Sequence, residues 1–208
     1  MPPIDALILD FGEVLVRPQS AASIQRMADL VGLEVADFTE RYWRHRLGYD
    51  SGLLSDAEYW RRVTDGVPLQ ARFESTLQTL MTADFVSWSD YRDELWDLTL
   101  DFKSRGGRTA ILSNGVPAVM DTVRSTRTLA GHFDAVVVSY EVGCVKPDPR
   151  IYQICLAQLG AQAVSTLFVD DRLENLEAAD LQGIQTFHFL GDHSVAALRA
   201  RLLDETNP

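Results

Sequence analysis

The sequence has little of what marks secreted, membrane-spanning or metal-cysteine proteins. It contains two cysteines, Cys144 and Cys155, whose spacing fits neither a disulfide framework nor a thiolate metal site. They predict two buried thiols in a reducing compartment. It has no apolar run of about 18 residues, and the N-terminal MPPIDALILDFG lacks the basic region of a signal peptide. We therefore expect a cytoplasmic protein without a transmembrane helix.

Positive charge is also scarce. Nineteen Lys and Arg residues stand against 30 Asp and Glu residues, which gives a net charge of −11. This balance argues against nucleic acids and anionic membranes as partners, because both require clustered basic side chains. A small anionic substrate remains compatible with it, since a bound metal and one lysine can reverse the field inside a pocket. The 208 residues, 46% of them hydrophobic, suit one large domain with a modest insertion.

Short apolar runs alternate with amphipathic segments in most of the chain. Such alternation predicts an α/β fold with a doubly wound parallel sheet covered by helices on both faces. The expected strands are Ile4–Leu9, Thr109–Leu112, Ala135–Val138, Thr166–Val169 and Gln185–Phe189. The expected helices between and after them are Tyr91–Arg105, Ala118–Ser125, Arg150–Leu159, Leu173–Leu181 and Ser194–Leu203.

The segment after the first strand has a different character, because it is helical throughout. Apolar residues recur at three-to-four spacing in Ser20–Val31, Asp37–Leu47, Ser55–Val63 and Gln70–Thr82. Ser55 and Glu58 have the spacing of a capping box at the start of one helix. We therefore predict a helical-bundle cap domain over residues 18–85, inserted into a core domain formed by residues 1–17 and 86–208.

Polar side chains follow four of the predicted strands. They are Asp10, the Ser113–Asn114–Gly115 segment, Lys146 and the Asp170–Asp171 pair. Each of these alone is compatible with a turn, a helix cap or an exposed side chain. In open α/β sheets, however, ligands bind at the carboxyl ends of the strands, so these groups are expected to gather at one edge.

This set of residue types suits phosphoryl transfer. A carboxylate such as Asp10 can attack phosphorus, provided that the repulsion between two anions is offset. Asp10 and Asp171 can hold Mg²⁺, which binds through one or two carboxylates and a phosphate oxygen. Lys146 adds a second positive charge, and the Ser113 hydroxyl with nearby backbone amides can bind the remaining phosphate oxygens.

The same residues resemble the haloacid dehalogenase superfamily with a helical cap. The matching motifs cover nearly the whole chain: Asp10–Phe–Gly–Glu–Val–Leu, Leu112–Ser–Asn–Gly115, Gly143–Cys–Val–Lys146–Pro–Asp–Pro–Arg–Ile–Tyr152 and Phe168–Val–Asp170–Asp171–Arg–Leu–Glu–Asn175–Leu–Glu–Ala–Ala179. The resemblance implies that Asp10 is the nucleophile, that Ser113 binds phosphate with its neighbours Asn114 and Gly115, and that Lys146 is the motif lysine. It also implies a magnesium site formed by Asp10, Asp171 and Asp170, with the backbone of Gly12.

One position departs from the family pattern. Phosphatases of this family usually carry a second aspartate two positions after the nucleophile, where it protonates the leaving group and then activates water. Here that position is Gly12, and only its backbone carbonyl remains to bind the metal. A positioned general acid contributes about 10²–10⁴ in rate, so its absence bears directly on the reaction.

Three functions therefore stay open. The first is a Mg²⁺-dependent phosphatase of small monoesters, because branches such as the sugar-1-phosphate phosphatases resemble this chain in carrying Asp-x-Gly. Its leaving group would either need little protonation, as in an anomeric sugar phosphate, or take a proton from Glu13, a water or a cap residue. The second is a 2-haloacid dehalogenase, whose halide leaves without a proton, although an acid pair for a metal would then serve no purpose. The third is a catalytically degenerate binding or regulatory protein.

The cap is expected to choose the substrate, because it covers the edge of the sheet. Its richest polar and aromatic stretch runs from Tyr42 to Asp50, and Arg44, His45 and Tyr49 are the predicted substrate contacts. The sequence indicates no partner beyond a small phosphorylated substrate, and it does not indicate an oligomeric state.

Overall fold

The fold is built on a five-stranded parallel sheet. The structure, a computed structural model, describes residues 3–68, 73–126 and 129–204. The strands of these residues are β1 (Ala6–Leu9), β2 (Arg108–Ser113), β3 (Ala135–Val138), β4 (Thr166–Asp170) and β5 (Gln185–His188). Their order in the sheet is β3-β2-β1-β4-β5, with all neighbours parallel. The predicted parallel α/β sheet is confirmed, and each strand begins or ends within two residues of the predicted range.

Register explains why the polar strand ends meet. Leu9, the last residue of β1, pairs with Ile111 of β2 and with Val169 of β4. The backbone amide of Asp10 continues this ladder by donating to the carbonyl of Val169, at 2.9 Å. Because the three central strands run parallel and end together, the residues that follow them lie at one edge of the sheet.

Helices cover both faces of the sheet. They are α6 (Asp93–Ser104), α7 (Pro117–Thr126), α8 (Leu129–His132), α9 (Ser139–Val142), α10 (Pro149–Leu159), α11 (Leu173–Asp180) and α12 (Ser194–Asp204). Leu7 and Leu9 of β1 belong to one buried apolar cluster, whereas Ala6 and Ile8 belong to a second one. Since successive side chains of a strand point to opposite faces, the two clusters are the two sides of a sheet buried on both faces.

A helical insert lies between β1 and α6. It comprises α1 (Ala21–Val31), α2 (Val35–Arg44), α3 (Arg46–Asp50), α4 (Asp56–Val63) and α5 (Phe73–Ser87). The capping box of Ser55 and Glu58 is present at the start of α4, as predicted. The helix predicted over Asp37–Leu47 is wrong in one respect, because the backbone breaks at His45 and starts a new helix. The expected start of the last helix at Gln70 lies outside the described residues, and the domain boundaries themselves stay a prediction.

The chain enters and leaves the insert through two adjacent segments. The amide of Arg17 donates to the carbonyl of Asp90 at 2.7 Å, and the amide of Arg92 donates to the carbonyl of Leu15 at 3.0 Å. Arg92 is 3% exposed, and its guanidinium donates to the carbonyls of Glu13, Val14 and Val16. These bonds fix the turn at Phe11–Leu15, which directly follows the first strand.

Both cysteines are buried thiols, as predicted. Within the described ranges, none of the helices combines the length and the apolar character that crossing a bilayer requires.

Replacing Arg92 with methionine should lower the free energy of unfolding by about 3 kcal/mol, because two buried carbonyl oxygens and one partly buried carbonyl oxygen lose a charged donor. Arg17→Met is the matched control: Arg17 also binds Asp192, but from a partly exposed position, and should cost less than about 1 kcal/mol. Urea denaturation measures the free energy of unfolding of both variants, and an unchanged m-value shows that the change is one of stability. Equal losses in the two variants would show that the carbonyl contacts do not hold the turn.

Candidate active site

A buried lysine lies between two strand-end carboxylates. Lys146 Nζ is 2.8 Å from Asp10 Oδ1 and 2.7 Å from Asp170 Oδ2, and the lysine side chain is 1% exposed. Burial disfavours the ammonium form, but the two carboxylates outweigh burial and raise the pKa of Lys146 above its usual range. Lys146 is therefore a fixed positive charge beside Asp10.

The backbone of Lys146 is held by the second polar segment. The Asn114 side chain accepts from the Lys146 amide at 2.7 Å and donates to the Lys146 carbonyl at 2.9 Å. The Gly115 amide donates to the Ser139 hydroxyl at 3.1 Å. Asn114 and Gly115 make these internal contacts and also line the cavity described below, so their predicted part in binding substrate stays a prediction. Ser113 lies at the end of β2 and lines the cavity described below.

Asp10 presents one oxygen to the protein. Its Oδ1 accepts from the Phe11 amide at 2.7 Å and contacts Lys146. Within the described part of the chain, the other oxygen is the one that is available to a ligand. Burial raises the pKa of Asp10 to about 8; Lys146 opposes this shift, and repulsion from Asp170 and Asp171 adds to it.

Three carboxylates surround this point. Ligand oxygens of Asp10, Asp170 and Asp171 all lie within 4.8 Å of one another. Burial raises the pKa of Asp171 to about 6, and repulsion from Asp170 and Glu13 contributes. Because three carboxylates face one ammonium group, the cluster carries excess negative charge that a divalent cation would neutralise. Oxygen ligands of this kind suit Mg²⁺, so the residues present fit the predicted metal.

The two adjacent aspartates differ in their contacts. Asp170 is fully buried and both its oxygens accept bonds from the protein: Oδ2 from Lys146, and Oδ1 from the Arg172 amide and the Asn175 side chain, each at 2.9 Å. Asp171 is partly exposed and lines the cavity. Asp171 therefore suits direct contact with a cation, whereas Asp170 orients the lysine. Asn175, which belongs to the last of the matching motifs, thus helps to hold the Asp170 carboxylate in place.

A cavity of about 460 Å³ opens at this edge, between the sheet and the helical insert. Its charged lining residues are Asp10, Glu13, Arg46, Asp50, Lys146, Asp171, Arg172 and Glu174. Its apolar lining residues include Trp43, Leu47, Trp88, Val116, Val119 and Met120. The volume is within the range usual for small-molecule sites, so the cavity can hold a small ligand against Asp10.

Gly12 also lines the cavity, and its backbone does not require glycine. Its φ and ψ of −63° and 135° are open to any residue. A Cβ built at this position would lie 3.7 Å from the Trp88 ring, which is ordinary contact. The missing carboxylate is therefore not imposed by the local backbone. The following residue, Glu13, has a left-handed backbone with φ of 57°.

The three substrate contacts that we predicted in the insert are not among the residues that line the cavity. Arg44 is exposed and pairs with Glu40. His45 lies in the break between α2 and α3. Tyr49 is buried, with its ring stacked on Tyr59 at 4.2 Å and its hydroxyl on Asp56. A role for these three in binding stays a prediction.

The lining residues of the insert are instead Trp43, Arg46, Leu47 and Asp50. Sequence reasoning missed this set because it continued one helix through His45 and ended it at Leu47, whereas a new helix runs from Arg46 to Asp50. A usable signal was the spacing of Arg46 and Asp50, since residues four apart share a helix face and can pair. They do pair, with Arg46 Nε 2.9 Å from Asp50 Oδ1.

Comparison with known proteins gives a consistent family match. A family model described as haloacid dehalogenase-like hydrolase matches residues 4–181. D-ribitol-5-phosphate phosphatase of Bacteroides thetaiotaomicron is 27% identical over 198 residues, which cover 88% of this chain and 91% of that protein. (S)-2-haloacid dehalogenase of Pseudomonas sp. (strain YL) is 36% identical over 126 residues, which cover 60% of this chain and 49% of that protein.

Some curated relatives are much longer than the matched region. The match to acyl-CoA dehydrogenase family member 10 of Mus musculus spans only 8% of that protein, and the match to the Thermus thermophilus phosphoserine phosphatase spans 34%. The chain thus covers less than half the length of the first three curated relatives.

Solved structures share the fold over nearly the whole chain. A predicted hydrolase of the same family from Porphyromonas gingivalis has a TM-score of 0.77 at 25% identity, covering 97% of this chain and 99% of that one. A family enzyme from Bacteroides thetaiotaomicron, solved with magnesium and inorganic phosphate, has a TM-score of 0.74 at 22% identity, covering 89% and 93%. The second likeness establishes the fold alone.

Added Mg²⁺ should raise the melting temperature, and more so at pH 8 than at pH 5.5. An acid whose pKa is raised on folding holds its proton more tightly in the folded state, so the metal-free protein loses stability as pH rises from 3.8 towards 8. Below the raised pKa values of Asp10 and Asp171, protons compete with the cation. Thermal melts with MgCl₂ or EDTA measure the shift, and Asp171→Asn should remove most of it. A shift that is equal at both pH values would contradict the site.

Proposed function

Because the chain belongs to the haloacid dehalogenase-like hydrolase family, we propose that it is a Mg²⁺-dependent hydrolase of small phosphate monoesters that acts through an aspartyl phosphate on Asp10. The observation that carries this proposal is the pairing of Asp10 with a buried lysine at the edge of a cavity. Three carboxylates converge there, and their excess negative charge suits a divalent cation. The phosphatase and the magnesium–phosphate complex among the similar proteins support it.

The protein's own residues have separate parts in the reaction. The free oxygen of Asp10 forms a bond to phosphorus while the ester P–O bond breaks, and water then hydrolyses the aspartyl phosphate. Lys146 offsets negative charge at the nucleophile, and Asp170 with Asn114 keeps the lysine in place. Ser113 is proposed to donate a hydrogen bond to a phosphate oxygen. A magnesium ion at Asp10 and Asp171 would neutralise charge on the transferring group.

The cavity supports a small and uncharged leaving alcohol. Its acidic lining residues outnumber its basic ones, Arg46, Lys146 and Arg172; they are Asp10, Glu13, Asp50, Asp171 and Glu174. With a dication and a phosphate present, little positive charge is left to bind a second anionic group. The aromatic and aliphatic wall fits the apolar face of a sugar, a polyol or an alkyl chain. A sugar or polyol phosphate is therefore the proposed substrate class.

Asp10→Asn should lower kcat on 4-nitrophenyl phosphate and on sugar phosphates by more than about 1,000-fold, because the nucleophile is lost. EDTA should abolish the wild-type activity, and excess Mg²⁺ should restore it. Phosphate release measures the activity, and the melting temperature of the variant checks its fold. Full activity of Asp10→Asn would contradict the aspartyl phosphate.

The second candidate function is 2-haloacid dehalogenase. With Gly12, the turn after the nucleophile carries no general acid two positions on. A dehalogenase would not need one, because a halide ion departs without being protonated. The Pseudomonas relative adds weight to this candidate. The carboxylate excess around Asp171 argues against it, because attack on carbon in a haloacid does not need a dication.

Chloride release from 2-chloropropionate separates the two candidates. We expect none, whereas phosphate esters should be hydrolysed with Mg²⁺. Chloride release that persists in EDTA would instead assign the dehalogenase reaction. A folded wild-type protein that releases neither chloride nor phosphate would favour the third function, a binding protein.

A further inference from the structure

A buried polar cluster in the insert reaches the cavity. Arg46 Nε is 2.9 Å from Asp50 Oδ1, and Arg46 Nη1 is 3.3 Å from Asp84 Oδ2. The Tyr42 hydroxyl donates to Asp84 Oδ1 at 2.6 Å. Arg46 and Asp50 line the cavity, whereas Asp84 does not. One guanidinium is therefore shared by two buried carboxylates, of which Asp50 lines the cavity and Asp84 does not.

The two carboxylates differ in their contacts. Asp84 accepts on both oxygens, from Tyr42 and from Arg46. Asp50 accepts from Arg46 on one oxygen. Burial raises the pKa of Asp50 to about 6; Arg46 and Arg172 oppose the shift, and Asp84 adds to it. Asp50 thus combines a place on the cavity with a raised pKa, as an acid that acts near neutral pH requires.

Asp50 is also tied to the reactive edge of the sheet. The Ser139 hydroxyl donates to the backbone carbonyl of Asp50 and accepts from the Gly115 amide at 3.1 Å. Gly115 comes two residues after Ser113 at the end of β2. One buried hydroxyl therefore fixes Asp50 of the insert against the segment that follows the phosphate-binding serine.

The other carboxyl groups of the cavity are less suited to proton transfer. Asp10 and Asp171 belong to the cation cluster. Glu174 is more than half exposed and pairs with Arg172. Glu13 is less buried than Asp50. Because Gly12 has no side chain, Asp50 is the buried carboxyl that lines the cavity outside the cluster, among the described residues.

We propose that Asp50 is the catalytic acid and base that replaces the missing side chain at Gly12, an inference that rests on the proposed function. When Asp10 forms its bond to phosphorus and the ester P–O bond breaks, the leaving oxygen takes the proton of Asp50. Asp50 is then a carboxylate, stabilised by Arg46. It accepts a proton from the water that attacks the aspartyl phosphate, which releases inorganic phosphate and restores Asp10 and Asp50.

The test compares esters that differ in their need for a proton. The leaving group of 4-nitrophenyl phosphate departs as a phenolate, whereas that of benzyl phosphate needs protonation. With Mg²⁺ present, Asp50→Asn should lower kcat/KM on benzyl phosphate by about 100-fold and on 4-nitrophenyl phosphate by less than about 5-fold. It should also lower kcat on 4-nitrophenyl phosphate after a burst of nitrophenol, because hydrolysis of the aspartyl phosphate loses its base.

The pH profile gives a second readout. In the wild type, kcat/KM on benzyl phosphate should fall as Asp50 loses its proton, and this limb should be absent in Asp50→Asn. Asp37→Asn is the matched control, because Asp37 lies on the insert, away from the cavity lining, in a partly exposed pair with Arg41. This variant should leave the hydrolysis of both esters unaffected.

The outcomes are distinguishable. Equal losses of kcat/KM on both esters would assign Asp50 a structural role and overturn the proposal, as would an unchanged kcat/KM on both. Wild-type turnover of 4-nitrophenyl phosphate that needs Asp10 would establish the proposed function whatever Asp50 does. Failure of the wild type to hydrolyse either ester would overturn the proposed function and the role of Asp50 with it.

Discussion

The ammonium group of Lys146, buried between Asp10 and Asp170, is the contact on which the candidate site depends. A buried carboxylate without a partner is strongly disfavoured, so Asp10 needs this neighbour to lie at the end of a fully buried strand. The lysine is in turn held by its side chain on Asp170 and by its backbone on Asn114. Lys146 thus joins the ends of β1, β2 and β4 through Asp10, Asn114 and Asp170. Its single positive charge does not neutralise all the surrounding carboxylates, so the remaining negative charge suits a cation.

Much of this edge could be predicted from the sequence, because it follows from short-range patterns. The run from Ile4 to Leu9 is apolar without alternation and ends abruptly at Asp10, which is typical of a strand buried on both faces. Parallel register then brings Ser113 and Asp170 to the same edge without further assumptions. The roles of Asn114 and Gly115 were not predictable in this way, because their hydrogen bonds go to residues more than 20 positions away.

The insert was predicted less well, for a physical reason. The helix break at His45 rotates the residues after it relative to those before it, so Arg46 and Asp50 lie on the cavity while Arg44 does not. This break accompanies contacts that are distant in sequence: Arg46 binds Asp84, and Ser139 binds the carbonyl of Asp50. Helix periodicity carries no information about such partners, and tertiary contacts override it.

The guanidinium of Arg92 holds the turn after Asp10 by its carbonyl oxygens, not by its side chains. A backbone carbonyl is the same in every amino acid, so this support is indifferent to which residues occupy positions 13, 14 and 16. At Gly12 and Glu13, which line the cavity, the side chain can therefore change while these carbonyl contacts are kept. The chemistry that this turn presents to the cavity depends on side chains, whereas its support by Arg92 depends on the carbonyl oxygens of Glu13, Val14 and Val16.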